Sequence, residues 1–169
     1  MSYKNYVIIA IIFLSWYPLY SQNDFDSEYP VPLTQKSYDE LDSLFFATEH
    51  RPQIAVEYAT AYLQKAKKLK DSFEIPRGYK YFAYLNKDSV GLKYCDSLIN
   101  SSLNLNSKYF PAFGYMLKGY LLYELGDDKK ALENYIIANK HAINSDNTYH
   151  IIEIKQAIAV LNDKWGEHE

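Results

Sequence analysis

The chain has 169 residues, of which 48% are apolar and 23% are charged, as is normal for a folded globular domain. Its net charge of −3 argues against the clustered basic surface that nucleic acid requires, so we expect no direct nucleic-acid binding by this segment. Tyrosine is unusually common, with 18 copies, whereas glycine and proline number six each, too few for a turn-rich β-sandwich. Composition therefore favours helices.

The first 21 residues have the pattern of a secretory signal peptide. Lys4 supplies a positive charge, and an unbroken apolar run from Val7 to Leu14 follows it. This run is shorter than the roughly 20 residues that a membrane-spanning helix needs. Ser21 is small enough to precede a signal-peptidase cleavage site. We therefore expect export, with an uncleaved signal anchor, which would contact the membrane, as the alternative.

Residues 22–36 are polar, contain Pro30 and Pro32, and predict an extended linker. Ser37 and Glu40 then form the pattern of a capping box, which starts a helix. Helical periodicity continues from there and predicts an all-α fold with helices at about 37–49, 52–70, 72–86, 88–105, 109–125, 128–144 and 147–164. Helices joined by such short breaks pack antiparallel with their neighbours.

The chain repeats itself at a spacing of 40 residues. The shift pairs Leu85 with Leu125, Gly91 with Ala131, Leu92 with Leu132, Cys95 with Tyr135, Ala112 with Ile152, Leu121 with Leu161 and Gly126 with Gly166. Most pairs match small residues with small ones and large apolar residues with large ones. A stack of helical hairpins requires this, because one hairpin cannot bury its apolar face alone.

Residues 115–142 resemble the tetratricopeptide repeat. That family carries a small residue in its first helix, Gly-Asp at the turn, and then Ala, an aromatic residue and Ala along its second helix. The matching residues here are Gly119, Leu122, Gly126, Asp127, Ala131, Tyr135 and Ala138. Weaker matches are Ala55, Tyr58, Ala59, Leu63 and Ala66, and then Gly91, Tyr94, Cys95 and Leu98. Pro76 and the turn at Asn86, which lacks a glycine, depart from the family pattern.

The resemblance implies a right-handed α-α superhelix of about three and a half helical hairpins over residues 37–169, with the last repeat incomplete. Cys95 takes the place of a packed aromatic residue, so we expect it to be buried rather than a reactive thiol. Because it is the single cysteine, no disulfide can form within the chain.

No catalytic or cofactor-binding motif is present: the sequence contains no HExxH, no glycine-rich phosphate loop and no GxSxG. The four histidines, His50, His141, His150 and His168, lie far apart, and we expect each at a solvated helix end. The acidic pairs at Asp39 and Asp127 lie at helix starts, where capping explains them. We therefore expect no enzyme activity, no cofactor and no metal, with an enzyme of unrecognised type as the alternative.

In the tetratricopeptide family, ligands lie against the first helix of each repeat, in a concave groove. Carried over at the 40-residue spacing, this implies groove residues Tyr84, Phe113, Tyr120, Tyr123 and Gln156, with Lys80 and Glu153 as charged partners. The aromatic residues would anchor a protein or peptide partner. The alternative is that two or three of these rings fill the seams between helices.

We therefore expect a non-enzymatic scaffold that binds a protein or peptide in the periplasm or cell envelope of a Gram-negative bacterium. The last helix has no partner helix in the sequence, so we expect Ile151, Ile154, Ile158 and Leu161 to be half exposed. Self-association through this helix, or a longer gene product, would cover them.

A longer product would be similar to certain bacterial membrane-bound regulators. In those, an envelope repeat domain precedes a transmembrane helix and a cytoplasmic helix-turn-helix DNA-binding domain. The alternative function is therefore the sensory N-terminal part of such a transcriptional regulator, acting in signal transduction. A part of the product beyond residue 169 would then cross the membrane.

Overall fold

The computed structural model describes residues 32–166. Within this range the chain forms a short 3-10 helix, Leu33–Gln35, and seven α-helices, with no β-strand. The α-helices are α1 (Tyr38–Thr48), α2 (Pro52–Leu69), α3 (Glu74–Leu85), α4 (Ser89–Ser102), α5 (Ala112–Glu124), α6 (Asp128–Asn144) and α7 (Thr148–Gly166). The predicted all-α class is confirmed, whereas the predicted signal segment 1–21 lies outside the described residues.

Several helices begin where the sequence offers a capping side chain. Ser37 Oγ accepts a hydrogen bond from the Glu40 backbone N–H at 3.1 Å, and the Glu40 carboxylate accepts one from the Ser37 N–H at 2.7 Å. This is the predicted capping box. Asp88 and Asp127 likewise accept hydrogen bonds from backbone N–H groups in the first turns of α4 and α6.

Four predicted boundaries were wrong by two or three residues: the starts of α3 and α5 and the ends of α4 and α7. The two starts have a local cause. Helix α3 begins at Glu74 rather than at residue 72, because Asp71 Oδ1 accepts hydrogen bonds from the backbone N–H groups of Phe73 and Glu74 at 3.1 and 3.2 Å. Helix α5 begins at Ala112 rather than at residue 109. Pro111 disfavours a helical backbone in the residue before it, so a helix could not run through Phe110.

Each α-helix packs against the next one in the sequence, and α5 also packs against α7. The pairs α1–α2, α3–α4 and α5–α6 therefore form helical hairpins. Aromatic rings connect the first helices of successive hairpins: Phe45 and Tyr81 have ring centroids 4.5 Å apart, and Tyr84 and Phe113 have centroids 6.3 Å apart. The helices α1, α3, α5 and α7 are thus neighbours in that order. No α-helix in residues 32–166 combines the length and apolar character needed to cross a membrane.

The internal repeat is visible in which residues are buried. Gly91, Cys95, Leu98 and Ser102 of α4 are buried, and so are their partners 40 residues later in α6: Ala131, Tyr135, Ala138 and Ala142. Between α2 and α4 the same pattern recurs at 36 residues, since Ala55, Ala59, Tyr62 and Ala66 are buried. The repeat is therefore real but uneven, and the two spacings differ by about one helical turn.

The predicted exposure of α7 was wrong at two of its four positions. Ile154 and Leu161 are fully buried in a cluster built from α5, α6 and α7, with Ile151 and Ile158 partly buried beside them. The hairpin of α5 and α6 therefore covers the apolar face of α7 that contains Ile154 and Leu161. The pairing of Ala112 with Ile152 also failed, because Ala112 is buried whereas Ile152 is 53% exposed.

Cys95 is buried, as the sequence predicted. Cys95 has no exposed surface and packs in the cluster shared by α3, α4 and α5. Burial raises the pKa of its thiol to about 12, and the charge of Asp96 adds to this shift. The reactive thiolate is therefore not populated near neutral pH.

The turn at Asn86 contains no glycine, and Gly91 in the following helix makes room for it. The equivalent turn one hairpin later does contain a glycine. Gly126 turns the chain between α5 and α6 with φ +80°, in the left-handed region. Asn86, at the equivalent place between α3 and α4, is extended with φ −124° and ψ 109°. A Cβ at residue 91 would lie 1.9 Å from the Asn86 carbonyl oxygen, so this turn requires Gly91.

We predict that Gly91→Ala destabilises the fold by about 1–3 kcal/mol, because backbone atoms of the turn must move to admit the methyl group. The loss would exceed the gain in helix propensity that alanine brings. Urea unfolding followed by circular dichroism measures the change. Gly166→Ala is the control, since nothing lies within 4 Å of a Cβ there. Equal stability of the two variants would contradict the prediction.

Candidate binding groove

A cavity of about 420 Å³ lies where α3, α5 and α7 meet. We call it the aromatic pocket. Its lining is mostly aromatic and apolar, with one carboxylate and one imidazole. The lining residues are Tyr84, Tyr109, Phe113, Met116, Leu117, Tyr120, Tyr135, Tyr149, His150, Glu153 and Ala157.

Helix α5 supplies the floor and one rim of the aromatic pocket. Phe113, Leu117 and Tyr120 follow one another at helical spacing and therefore share a face. Phe113 and Leu117 are buried, whereas Tyr120 at the end of the series is 42% exposed. Tyr135 of α6 reaches the pocket past Gly119, because a Cβ at residue 119 would lie 2.7 Å from its ring.

Helix α7 supplies the opposite rim. Tyr149, Glu153 and Ala157 are each four residues apart, so they lie on one face, and the small Ala157 leaves open space. Tyr149 is 67% exposed and Glu153 is partly buried. Glu153 raises the pKa of the Tyr149 phenol, first through side-chain hydrogen bonding and then through its charge. Burial, followed by the charge of Glu153, raises the pKa of Tyr84 to about 12.

Tyr109, in the loop before α5, lies at the centre of the groove. Its ring stacks on Phe113 with centroids 4.7 Å apart and an angle of 23°, and it lies 4.7 Å from the ring of His150. Tyr109 also lines a second cavity of about 300 Å³ beside α1 and α3, which we call the polar pocket. The two pockets are therefore adjacent parts of one groove, and they meet at Tyr109.

The polar pocket is lined by Tyr38, Asp39, Asp42, Tyr62, Arg77, Lys80 and Tyr109. Most of its charged groups are already engaged. Asp42 accepts a hydrogen bond from the Tyr81 hydroxyl, and Arg77 forms an ion pair with Glu74 at 3.2 Å. The Lys80 ammonium instead lies over aromatic rings, 4.7 Å from the centroid of Tyr81. Burial lowers the pKa of Lys80, and the charge of Asp42 opposes that shift.

Five of the seven groove residues that the sequence predicted line the groove, four of them in one pocket. Tyr84, Phe113, Tyr120 and Glu153 line the aromatic pocket, and Lys80 lines the polar pocket. Tyr123 and Gln156 line neither pocket. Each follows a pocket residue by three positions, which turns its side chain by roughly 60° to one side.

Two of the predicted groove residues fill the space between packed helices, as the alternative interpretation of the sequence expected. Tyr123 is half-buried, packs against the cluster of α5, α6 and α7, and carries the Lys164 ammonium 5.0 Å from its ring centroid. Phe113 is buried while still forming the pocket floor. Seam and groove are therefore built partly from the same residues.

Sequence reasoning missed seven of the eleven residues that line the aromatic pocket, and three of these, Tyr109, Tyr149 and His150, carry rings at its rim and centre. Tyr149 precedes Glu153 by one helical turn, so the helical spacing could have found it. Tyr109 lies outside any helix and gave no periodic signal. His150, expected at a solvated helix end, is only 1% exposed. Its partner 40 residues earlier, Phe110, is also buried, and that match was the available signal.

Within residues 32–166 no group of three potential metal ligands comes together. Comparison with known proteins gave no match: no family model, no curated protein and no solved structure matches this chain. The all-helical, repeat-like architecture therefore stands on the structure itself. The tetratricopeptide resemblance, export and partner binding stay predictions.

The hydrogen bonds of Asn147 fix the protonation state of His150. The Asn147 side-chain oxygen accepts from the His150 backbone N–H at 3.0 Å, so its amide nitrogen faces His150 Nδ1 at 3.1 Å. That nitrogen also donates to the Lys108 carbonyl at 2.7 Å. An amide nitrogen can only donate, so Nδ1 accepts and the imidazole is neutral. Burial lowers the pKa of His150, with the charge of Glu153 opposing the shift.

We predict that acid weakens the fold through His150. Because its folded pKa lies below the unfolded value of about 6.5, the unfolded chain binds more protons as the pH falls through that value. The stabilisation is thus complete above pH 6.5 or so and is lost towards the folded pKa. Urea unfolding between about pH 7.5 and 5 measures it.

His150→Phe should reduce this pH dependence, since phenylalanine fills the equivalent buried position at Phe110 and does not titrate. His50→Gln, at an exposed residue, is the control and should keep the dependence of the unaltered chain. If all three proteins lose stability in parallel, His150 is not the group responsible.

Proposed function

We propose that the chain is a non-enzymatic scaffold that binds a peptide or protein segment along the groove made by the aromatic and polar pockets. One observation carries this proposal: three tyrosine rings stay open to solvent around the aromatic pocket. Tyr109, Tyr120 and Tyr149 are 38%, 42% and 67% exposed. Exposed aromatic clusters mark interaction sites, and tyrosine anchors supply much of the binding energy at interfaces.

The shape of the groove suits an extended or helical segment. The aromatic pocket, at about 420 Å³, falls within the range of roughly 300–1,000 Å³ that ligand pockets occupy. The polar pocket continues it past Tyr109 towards α1. A segment that crosses α7, α5, α3 and α1 would place apolar side chains in the first pocket and polar ones in the second.

We predict that Tyr120→Ala combined with Tyr149→Ala weakens peptide binding at least about tenfold, the effect of losing one tyrosine anchor. The probes are peptides selected on the unaltered protein from a random display library, and their Kd values are measured by fluorescence anisotropy. Both side chains are exposed, so far-UV circular dichroism should not change.

Ile136→Ala is the matched control, because Ile136 is an exposed apolar residue of α6 that lines neither pocket. Tyr123→Ala should lower stability instead, since that ring packs against the core. Unchanged Kd values in the double variant would contradict the groove proposal. A loss of helicity would show that the two rings are core residues.

Two further parts of the proposal rest on the sequence. The matches from Gly119 to Ala138 support a right-handed superhelix of the tetratricopeptide type. The apolar run from Val7 to Leu14 supports export to the envelope of a Gram-negative bacterium. Expression in such a host, followed by mass spectrometry, should find a periplasmic chain that begins at Gln22. A cytoplasmic chain that keeps residues 1–21 would contradict export.

The alternative function, the sensory part of a membrane-bound transcriptional regulator, would use the same groove as its sensing surface. The favouring observation is a pair of apolar side chains on the outer face of α7: Ile152 and Val160 are 53% and 52% exposed. In solenoids such a face commonly packs against a further helix. The gene sequence beyond codon 169 tests it: a hydrophobic span and a helix-turn-helix support this function, and an immediate stop codon removes it.

A further inference from the structure

The carboxylate of Glu153 is the feature of the aromatic pocket that the packing leaves unexplained. It is partly buried, yet none of the ion pairs among residues 32–166 includes it. The single lining side chain that could carry a positive charge is His150, whose imidazole is neutral. A partly buried carboxylate that faces aromatic rings without a cation loses hydration and gains no charge partner in return.

Three tyrosine rings lie within electrostatic reach of this carboxylate. Its negative charge contributes to the raised pKa values of Tyr84, Tyr109 and Tyr149, although burial is the larger cause for the first two. Aromatic faces and a carboxylate both attract cations, and desolvation in a pocket strengthens the attraction. The chain itself uses this contact: Lys80 and Lys164 place their ammonium groups 4.7 and 5.0 Å from tyrosine ring centroids.

We propose that the aromatic pocket binds an arginine or lysine side chain of the bound segment, an inference that rests on the proposed groove function. Glu153 is its counter-ion, and the rings of Tyr109 and Tyr149 contact its charged head and its stem, since the Tyr84 ring already lies 5.9 Å from the Lys80 ammonium. An acidic side chain would be repelled by Glu153, and an apolar one would leave the carboxylate with the Tyr149 hydroxyl as a neutral partner and no cation. A planar guanidinium fits best, since it stacks on rings and pairs with a carboxylate at once.

The charges around the groove direct a basic group to this pocket rather than to its neighbour. The polar pocket, beyond Tyr109, balances two cations, Arg77 and Lys80, against two carboxylates. Among the residues that the structure describes, the aromatic pocket holds one carboxylate and no cation, so its net charge is the more negative. The net charge of −3 also favours encounter with a basic partner.

A matched pair of small probes isolates the charge. N-acetyl-arginine amide and N-acetyl-citrulline amide have nearly the same shape, but only the first is a cation. Titration into the protein, followed by NMR shifts of the His150 ring, should give a Kd for the arginine probe about tenfold lower than for the citrulline probe. Equal Kd values for the two probes would overturn the inference.

Glu153→Gln should weaken the arginine probe about tenfold and leave the citrulline probe unchanged. Glu57→Gln, at an exposed carboxylate of α2 that lines neither pocket, is the control and should change neither. Thermal unfolding of both variants verifies that each is folded. If Glu153→Gln binds the arginine probe as well as Glu57→Gln does, the inference is overturned.

Peptides selected from the display library separate this inference from the groove function. We expect them to share one basic residue, and its replacement by citrulline or norleucine should cost about tenfold in Kd unless Glu153 is already replaced by glutamine. Peptides that depend on Tyr120 but not on Glu153 would overturn the inference and leave the groove function standing. Peptides that depend on neither residue would overturn both.

Discussion

The close approach between helices at small buried residues is the constraint on which the rest of this structure depends. Ala59 in α2, Gly91 in α4, and Ala131 and Ala138 in α6 are all buried. A Cβ at Gly91 would meet the Asn86 carbonyl oxygen at 1.9 Å, so no larger residue fits there. Large rings fill the remaining space, as Tyr135 does against Gly119. Because one hairpin cannot bury its apolar face alone, each needs the next, and the fold grows by stacking.

The aromatic residues of the first helices serve both the core and the groove. Along α5, exposure rises from the buried Phe113 and Leu117 to the rim residue Tyr120 without any break in the aromatic and apolar surface. Core and groove therefore share a floor, and a change at Phe113 would alter both stability and the shape of the pocket. Only the rim residues can be varied without disturbing the packing. A packed base of this kind lowers the entropic cost of the binding that we propose for the groove.

The two ends of the groove differ in how their charges are satisfied. Near α1 and α3, tyrosine hydroxyls donate to carboxylates, from Tyr81 to Asp42 and from Tyr62 to Glu74. Cations lie beside both: Arg77 pairs with Glu74, and Lys80 lines the polar pocket with Asp42. Near α7, Glu153 also has a tyrosine partner, Tyr149, but no lysine or arginine among the described residues lines that pocket. The polar end is therefore largely satisfied by the protein itself, whereas the aromatic end holds a charge that a ligand could neutralise.

The sequence by itself determined the all-α class, most helix boundaries, the capping residues and the buried state of Cys95, because these depend on local periodicity and on side chains close in the chain. It also placed Tyr84, Tyr120 and Glu153 at one site through the repeat spacing. Only the tertiary structure decided that Tyr109 joins the two pockets, that His150 is buried and that Ile154 is covered. Each of these depends on the angle at which one helix meets another, and a local pattern does not encode that angle.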